Sequence, residues 1–409
     1  MKKLMKKILA SVLCVSMMGA LLAGCGKASN EKKDSGSTDK EGVEIALVCS
    51  ADGKNDNGYN QRAVEELEKI GKENNIGVKV VETSDSLSVP NAMKQLAEGG
   101  AKLIFNMEYD FDALITGVGG DKPLAEQYPD TTFVVFNASP NLDEAGKPIH
   151  KNVVTVLFDV HEGSFLAGYL GVYTNENLKT LFDASKYGFN MDQQTNRKIG
   201  YIGANSSEGI LVFLYGYMEG ASYACQELNV EYELVGKHDA GFADATIGSS
   251  FADSFYSNGG NVLYSVAGTV GTGVTSKAAD AKRFAIEVDA DKDNTRPGNI
   301  LTSVLKNTNV PVKEICEAYK SDKIDSLEDI LTYDVASGGS GITDLSVISQ
   351  YITDEGKDTW ADIQNKLKAV KDKIASGDIV VTNGQAGEKL NPEKVKHLKY
   401  SDTEASFAK

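Results

Sequence analysis

The chain has 409 residues, 42 Lys and Arg against 58 Asp and Glu, and a formal net charge of −16, with 41% hydrophobic residues. Such acidity excludes nucleic acid, whose phosphates need Lys/Arg clusters, and excludes an anionic membrane surface as a partner of the folded body. The length suits two domains or lobes.

Lys2, Lys3, Lys6 and Lys7 precede an apolar stretch, residues 8–23, that is too short and too poorly flanked for a standard membrane span. It ends in Leu22-Ala23-Gly24-Cys25, which resembles the bacterial lipobox. The resemblance implies cleavage before Cys25, lipid on its thiol, and a bacterial protein anchored in the cell membrane and facing outside the cytoplasm. An ordinary signal peptide followed by a chance cysteine is the other reading. Cleavage takes four lysines away and moves the net charge from −16 to −20. Residues 26–42 are Gly-, Ser-, Lys- and Asp-rich without hydrophobic periodicity, which reads as a flexible tether. Cys14 leaves with the signal. Cys49, Cys225 and Cys316 are odd in number and widely spaced, so they indicate neither a disulfide framework nor a metal knuckle and read as buried small hydrophobes.

The folded part begins near Val43 with the stretch the chain is organised around, Ala46-Leu47-Val48-Cys49-Ser50-Ala51-Asp52-Gly53-Lys54-Asn55-Asp56-Asn57-Gly58-Tyr59-Asn60-Gln61. An apolar run passes through a Gly/Asn/Asp-rich loop into residues 62–70, whose apolar positions recur at helical spacing: strand, loop, helix. In an open α/β sheet the loop after a strand's carboxyl end lies in the ligand crevice, which puts Asp56, Tyr59 and Asn60 where a small molecule sits. Strands are predicted at 78–81, 103–106, 132–137 and 153–158, with helices at 88–99 and from 112 towards 128. An apolar helix over 161–173 follows, and the first crossing between lobes is expected there. Residues 180–197 have no clear periodicity and read as a surface insertion.

The pattern then restarts with strands at 199–203, 230–235, 262–266 and 284–288 and helices at 210–228, 244–258 and 272–281. Two β-α runs of similar length imply two similar lobes, each a parallel sheet covered by helices. Residues 360–374 form an amphipathic helix, and 388–409 are polar and loosely periodic. The run Gly268-Thr269-Val270-Gly271-Thr272-Gly273 lets backbone approach a ligand and present amides at a helix start. Its spacing is not the dinucleotide GxGxxG, and no P-loop GK[ST] is present, so no cofactor is expected. His150, His161, His238 and His397 are scattered, without His-x-x-x-His or Gly-x-Ser-x-Gly, and nothing supports a catalytic centre.

Five segments in order carry a family resemblance: the opening stretch; Phe158-Asp159-Val160-His161-Glu162-Gly163-Ser164-Phe165-Leu166-Ala167-Gly168-Tyr169-Leu170; Ile199-Gly200-Tyr201-Ile202-Gly203 with Phe213 and Gly220; Val288-Asp289-Ala290-Asp291; and Leu301-Thr302-Ser303-Val304-Leu305-Lys306. Together they resemble the basic membrane protein (BMP, or PnrA-like) lipoproteins over residues 45–381. The resemblance implies an α/β, type I periplasmic-binding-protein fold: two doubly wound parallel-sheet lobes with a hinge and a ligand cleft between them. It implies a substrate-binding protein, not an enzyme, that captures a nucleoside, with purine nucleosides favoured, and serves the permease and ATPase subunits of an ABC importer. The same two-lobed lipoprotein binding a sugar or another small signal and feeding a sensor is the alternative.

Carried over by position, the family's acidic, aromatic and amide loop falls on residues 55–61, with Tyr59 as the aromatic that stacks on a base and Asp56 and Asn60 as polar contacts. Base stacking is worth roughly 1–3 kcal/mol. For Tyr59, packing over its own loop is the competing reading; for Phe213, the aromatic facing the base from the second lobe, it is core packing. Asp289 matches the acid that binds ribose, where one carboxylate accepts from two vicinal hydroxyls. Lys306 matches a lysine at the cleft. Ser50, Asn55, Gly58 and Asn137 depart from the family pattern, three of them replacing acids, which puts the base preference in question. The implied division is residues 1–24 as signal, 25–42 as lipidated cysteine and tether, 43–160 as the first lobe with roughly 290–306, 161–289 as the second with roughly 307–390, and 391–409 as a polar tail.

Overall fold

A computed structural model describes residues 42–400 apart from 52, 57, 84, 85 and 109. The signal segment, Cys25, residues 26–41 and residues 401–409 lie outside the described residues. The first lobe is laid down by β1 (Ile45–Val48), α1 (Tyr59–Asn74), β2 (Val78–Val81), α2 (Val89–Glu98), β3 (Leu103–Asn106), α3 (Asp112–Ile115), α4 (Leu124–Gln127), β4 (Thr132–Phe136) and β5 (Val153–Phe158). The second follows with α5 (Val160–Glu176), α6 (Leu178–Leu181), β6 (Lys198–Gly203), α7 (Glu208–Leu228), β7 (Tyr232–Lys237), α8 (Ala245–Ser257), β8 (Val262–Val266), α9 (Thr269–Ala281), β9 (Phe284–Asp289) and β10 (Ile300–Lys306). Then come α10 (Asn309–Lys320), β11 (Ile330–Tyr333), β12 (Ser340–Ile342), α11 (Ser346–Ser349), α12 (Lys357–Ala375) and β13 (Leu398–Lys399).

The first sheet has the order β11-β5-β4-β3-β1-β2 and is parallel throughout. The second has the order β12-β10-β9-β8-β6-β7-β13, and its one antiparallel pair is β10 with β12. Strand alternation explains why these segments read as continuous apolar runs. Ile45 and Leu47 face one core with α1, whereas Ala46 and Val48 face another with Val89 and Met93 of α2. With helices on both faces, the strands are mostly apolar, and buried polar residues such as Asn106, Glu287, Thr302 and Ser303 are the exceptions.

The chain passes between the lobes three times: from β5 to α5, from β10 to α10, and from β11 to β12. The crossings are tied to one another. Asp159 N–H donates to Tyr333 O at 2.9 Å, Asn307 N–H to Gly339 O at 2.9 Å, and Ser340 Oγ to Asp159 O at 3.0 Å.

Five expectations need correction. Residues 300–306 form β10 of the second sheet, not part of the first lobe, because their ladder partners are β9 and β12. Conversely α10 packs on α1 and β11 pairs with β5, so 309–333 belongs to the first lobe. The helix expected from 112 towards 128 is two short ones, since Gly117, Gly119 and Gly120 all take positive φ (79°, 68° and 91°) and break it. Residues 180–197 are no mere surface insertion, because Phe182 and Phe189 are buried against Phe284 with ring centroids 5.0 and 4.8 Å away. The polar tail is anchored at least to Lys399, where β13 extends the second sheet beside β7 and Val395 and Leu398 are buried. Cys49, Cys225 and Cys316 are free and buried, as small hydrophobes should be.

Candidate functional site

The carboxyl ends of β1, β3, β4 and β5 turn towards the second lobe, and the loops that follow them hold most of the expected site. Asp56 organises the first loop. Its Oδ1 accepts from the amides of Gly58 (3.0 Å) and Gln61 (3.1 Å), and its Oδ2 from the amide of Asn60 (2.8 Å). These are amides of the opening turn of α1, which have no intrahelical partner, and a carboxylate there also opposes the positive end of the helix. Asn60 is fully buried: its Oδ1 accepts from Ser50 N–H at 3.0 Å, and its Nδ2 donates to Ser50 Oγ (2.8 Å) and Asp56 Oδ2 (3.1 Å). Both side chains therefore shape the loop, and their hydrogen-bonding capacity is largely spent within it.

Tyr59, the first residue of α1, is 8% exposed. Its hydroxyl donates to Met107 O at 3.2 Å and accepts from Asn137 Nδ2 at 2.7 Å, while its ring meets Phe136 edge-on at 6.4 Å. The ring is thus fixed from below by the ends of β3 and β4. Lys306, at the end of β10, reaches over it from the second sheet. Its Nζ lies 5.4 Å from the Tyr59 ring centre and 5.6 Å from that of Phe158, within range of a cation–π contact with each. Burial pushes the Lys306 ammonium down to about 8, a fall that the charge of Asp289 partly opposes.

Asp289 ends β9 in a left-handed conformation, φ 72°. It sits against the loop of the first lobe: a Cβ built on Gly58 would lie 3.6 Å from the Asp289 Cβ, ordinary van der Waals contact. Tyr59, Lys306 and Asp289 are thus brought together from two lobes. Phe213 and Gly268 sit on other second-lobe elements. Phe213 is buried in α7 as part of the large apolar core. Gly268 precedes α9 with φ 52° and ψ −126°, a backbone that a side chain rarely permits, and a Cβ there would meet Phe242 O at 3.2 Å.

Two residues outside the expected set join the cluster. Asn137, with φ 68°, holds the Tyr59 hydroxyl, and its carbonyl accepts from Gln385 Nε2 of the segment beside α7. In the sequence Asn137 stands out only as a neutral residue at a strand end. Gln385 lies in a stretch without periodicity and gives no signal there.

Two α/β lobes, three tied crossings and a cluster at the strand ends define a two-lobed solute-binding protein. The family described as "ABC transporter substrate-binding protein PnrA-like" matches residues 43–374, and the chain belongs to it. It is similar to the ABC transporter nucleoside-binding protein BmpA of Lactococcus lactis, 28% identical over 92% of this chain and 99% of that one. It is also similar to basic membrane protein A of Borreliella burgdorferi, 28% identical over 74% of this chain and 77% of that one. Among solved structures, a solute-binding protein of an ABC transporter system from Aeropyrum pernix K1 shares the fold, with TM-score 0.67 and 19% identity over 83% of this chain and 92% of that one. A second, from Conexibacter woesei, gives TM-score 0.60 and 17% identity over 84% and 99%.

Proposed function

We propose that the protein is the lipid-anchored, extracytoplasmic binding subunit of an ABC importer that captures a nucleoside, purine nucleosides first, between its lobes and hands it to the permease. The observation that carries the reading is the end-to-end similarity to a relative described as nucleoside-binding. The anchor rests on Leu22-Ala23-Gly24-Cys25. The pairing of Tyr59 with Asp289 across the lobes supports a ligand with a flat base and a diol. A base stacks on the Tyr59 face where the Lys306 ammonium now lies, so its entry moves that ammonium aside. Asp289 then accepts from the ribose hydroxyls, and Phe213 and the start of α9 at Gly268 close from the second lobe. Contacts from both lobes are what let a ligand favour closure.

The test is differential scanning calorimetry of the full chain in detergent, unfolded and refolded to strip carried-over ligand, against nucleosides, free bases, ribose and other sugars. A ligand at 100 times its dissociation constant adds about 2.7 kcal/mol of stability. Nucleosides raising the melt while ribose and sugars do not is the expected result, and Asp289→Ala should then erase the preference for ribosides over free bases. A response to sugars alone would replace the substrate and keep the fold.

A further inference from the structure

The first crossing carries a second group of ligating side chains that the solute site does not use. Asp159 follows β5, and His161 and Glu162 open α5 in the second lobe. One donor atom from each lies within 4.8 Å of the other two, and His161 Nδ1 is 4.0 Å from Asp159 Oδ1. His161 is 5% exposed, and its Nδ1 has no hydrogen-bond partner among the described residues. A buried ring nitrogen left unpaired is costly and uncommon, and here a carboxylate oxygen of Asp159 lies 4.0 Å from it.

From this juxtaposition we infer that Asp159, His161 and Glu162 bind a divalent transition-metal ion, with Zn2+ as the fitting probe, at the junction of the two lobes. One imidazole and two carboxylates suit Zn2+ and its neighbours, whereas Ca2+ and Mg2+ favour sites of oxygen alone. Tetrahedral bonds of ordinary length put ligand atoms about 3.4 Å apart, so Asp159 and His161 need close by only about half an ångström. The supports around the ligands are already in place. Asn383 Nδ2 donates to Asp159 Oδ1 at 3.3 Å and Val335 N–H to Glu162 Oε2 at 2.9 Å, the kind of outer contacts that orient metal-binding carboxylates. The backbone of His161 is pressed against α7, since a Cβ on Gly216 would lie 2.0 Å from His161 O. Lys394, the cation that acts on His161, is held by Glu219 at 3.4 Å and by Val380 O at 2.8 Å. The Asp159 side chain is 23% exposed, which leaves an entry for the ion. An ion here bonds the last residue before the crossing to the first turn after it, and so stiffens the joint about which the lobes move.

The test is isothermal titration calorimetry of the full chain in detergent, stripped with a chelator, using ZnCl2, CaCl2 and MgCl2. One Zn2+ per chain is expected, with weaker or no binding of the other two. His161→Gln and Asp159→Asn should each lower Zn2+ affinity by more than about tenfold, while His397→Gln leaves it unchanged. Co2+ in place of Zn2+ should give a visible ligand-field band that His161→Gln abolishes. Should His161→Gln fail to fold, as judged by circular dichroism, the partly exposed Asp159→Asn carries the comparison. Absence of saturable Zn2+ binding, or binding that both variants leave intact, overturns the assignment.

Discussion

Asn60 spends its amide on Ser50 and Asp56 inside the protein, so its truncation is felt as stability before it is felt as affinity. Asn60→Ala leaves the buried Ser50 N–H without its acceptor, and an unsatisfied buried donor costs about 1–3 kcal/mol. The expected result is a lower urea midpoint with an unchanged slope. Tyr59 is different, because its ring and its hydroxyl can be removed separately. If a base stacks on the ring, Tyr59→Ala costs about 1–3 kcal/mol of nucleoside affinity and Tyr59→Phe much less, read by titration calorimetry. Equal losses would assign the effect to the hydroxyl's bonds with Met107 and Asn137. The loop's place between the carboxyl end of β1 and the start of α1 was legible from its composition after an apolar run. That Asp56 would be taken up by helix amides was not, because a carboxylate before a helix reads the same whether it caps that helix or meets a ligand.

At the scale of elements, α5 and α7 pack backbone against backbone. A Cβ on Gly220 would lie 1.9 Å from Phe165 O, and one on Gly168 2.1 Å from Tyr217 O. Alanine favours a helix over glycine by about 1 kcal/mol, yet forcing a methyl into packed backbone costs typically about 1–3 kcal/mol. Gly220→Ala should therefore lower the melting temperature, whereas Gly209→Ala, exposed on the same helix with open space around it, should raise it slightly. The opposite order would mean that the helices separate at little cost. The β-α alternation made both sheets legible up to β9, since the central strands are largely apolar on both faces. Beyond it, α10, β11, β12 and α11 went unread. The chain there crosses between lobes twice, and short strands at sheet edges do not repeat the alternation. Phe182, Tyr187 and Phe189 have no period either, because they plug the end of a sheet instead of lining an element.

For the molecule as a whole, two lobes could be inferred from two β-α runs, but which lobe owns the last third could not, because sheet membership depends on partners distant in sequence. Burial between the lobes perturbs several charged groups, and Lys306 is one of them. Lys306 ends a strand of the second sheet and lies over Tyr59 and Phe158 of the first lobe, and burial lowers it from an ordinary 10.5 to about 8 against the pull of Asp289. Since the folded value is below the unfolded one, the unfolded chain holds an extra proton between about pH 8 and 10.5, and this group's contribution to stability rises with pH across that window. Below it, the cost of burying the charge is fully present. Cys49, Cys225 and Cys316 act in the opposite sense, because burial pushes each thiol up from 9.0 to about 12, and folding holds protons that the unfolded chain has released. The wild-type curve alone therefore does not isolate the lysine, but a difference does. Lys306→Met should be the more stable protein at pH 7, and its advantage should shrink by up to about 1.4 kcal/mol per unit as pH rises above about 8, measured by urea unfolding at each pH. A constant difference across that range would show that Lys306 keeps its proton in the folded state, held by the two rings and Asp289.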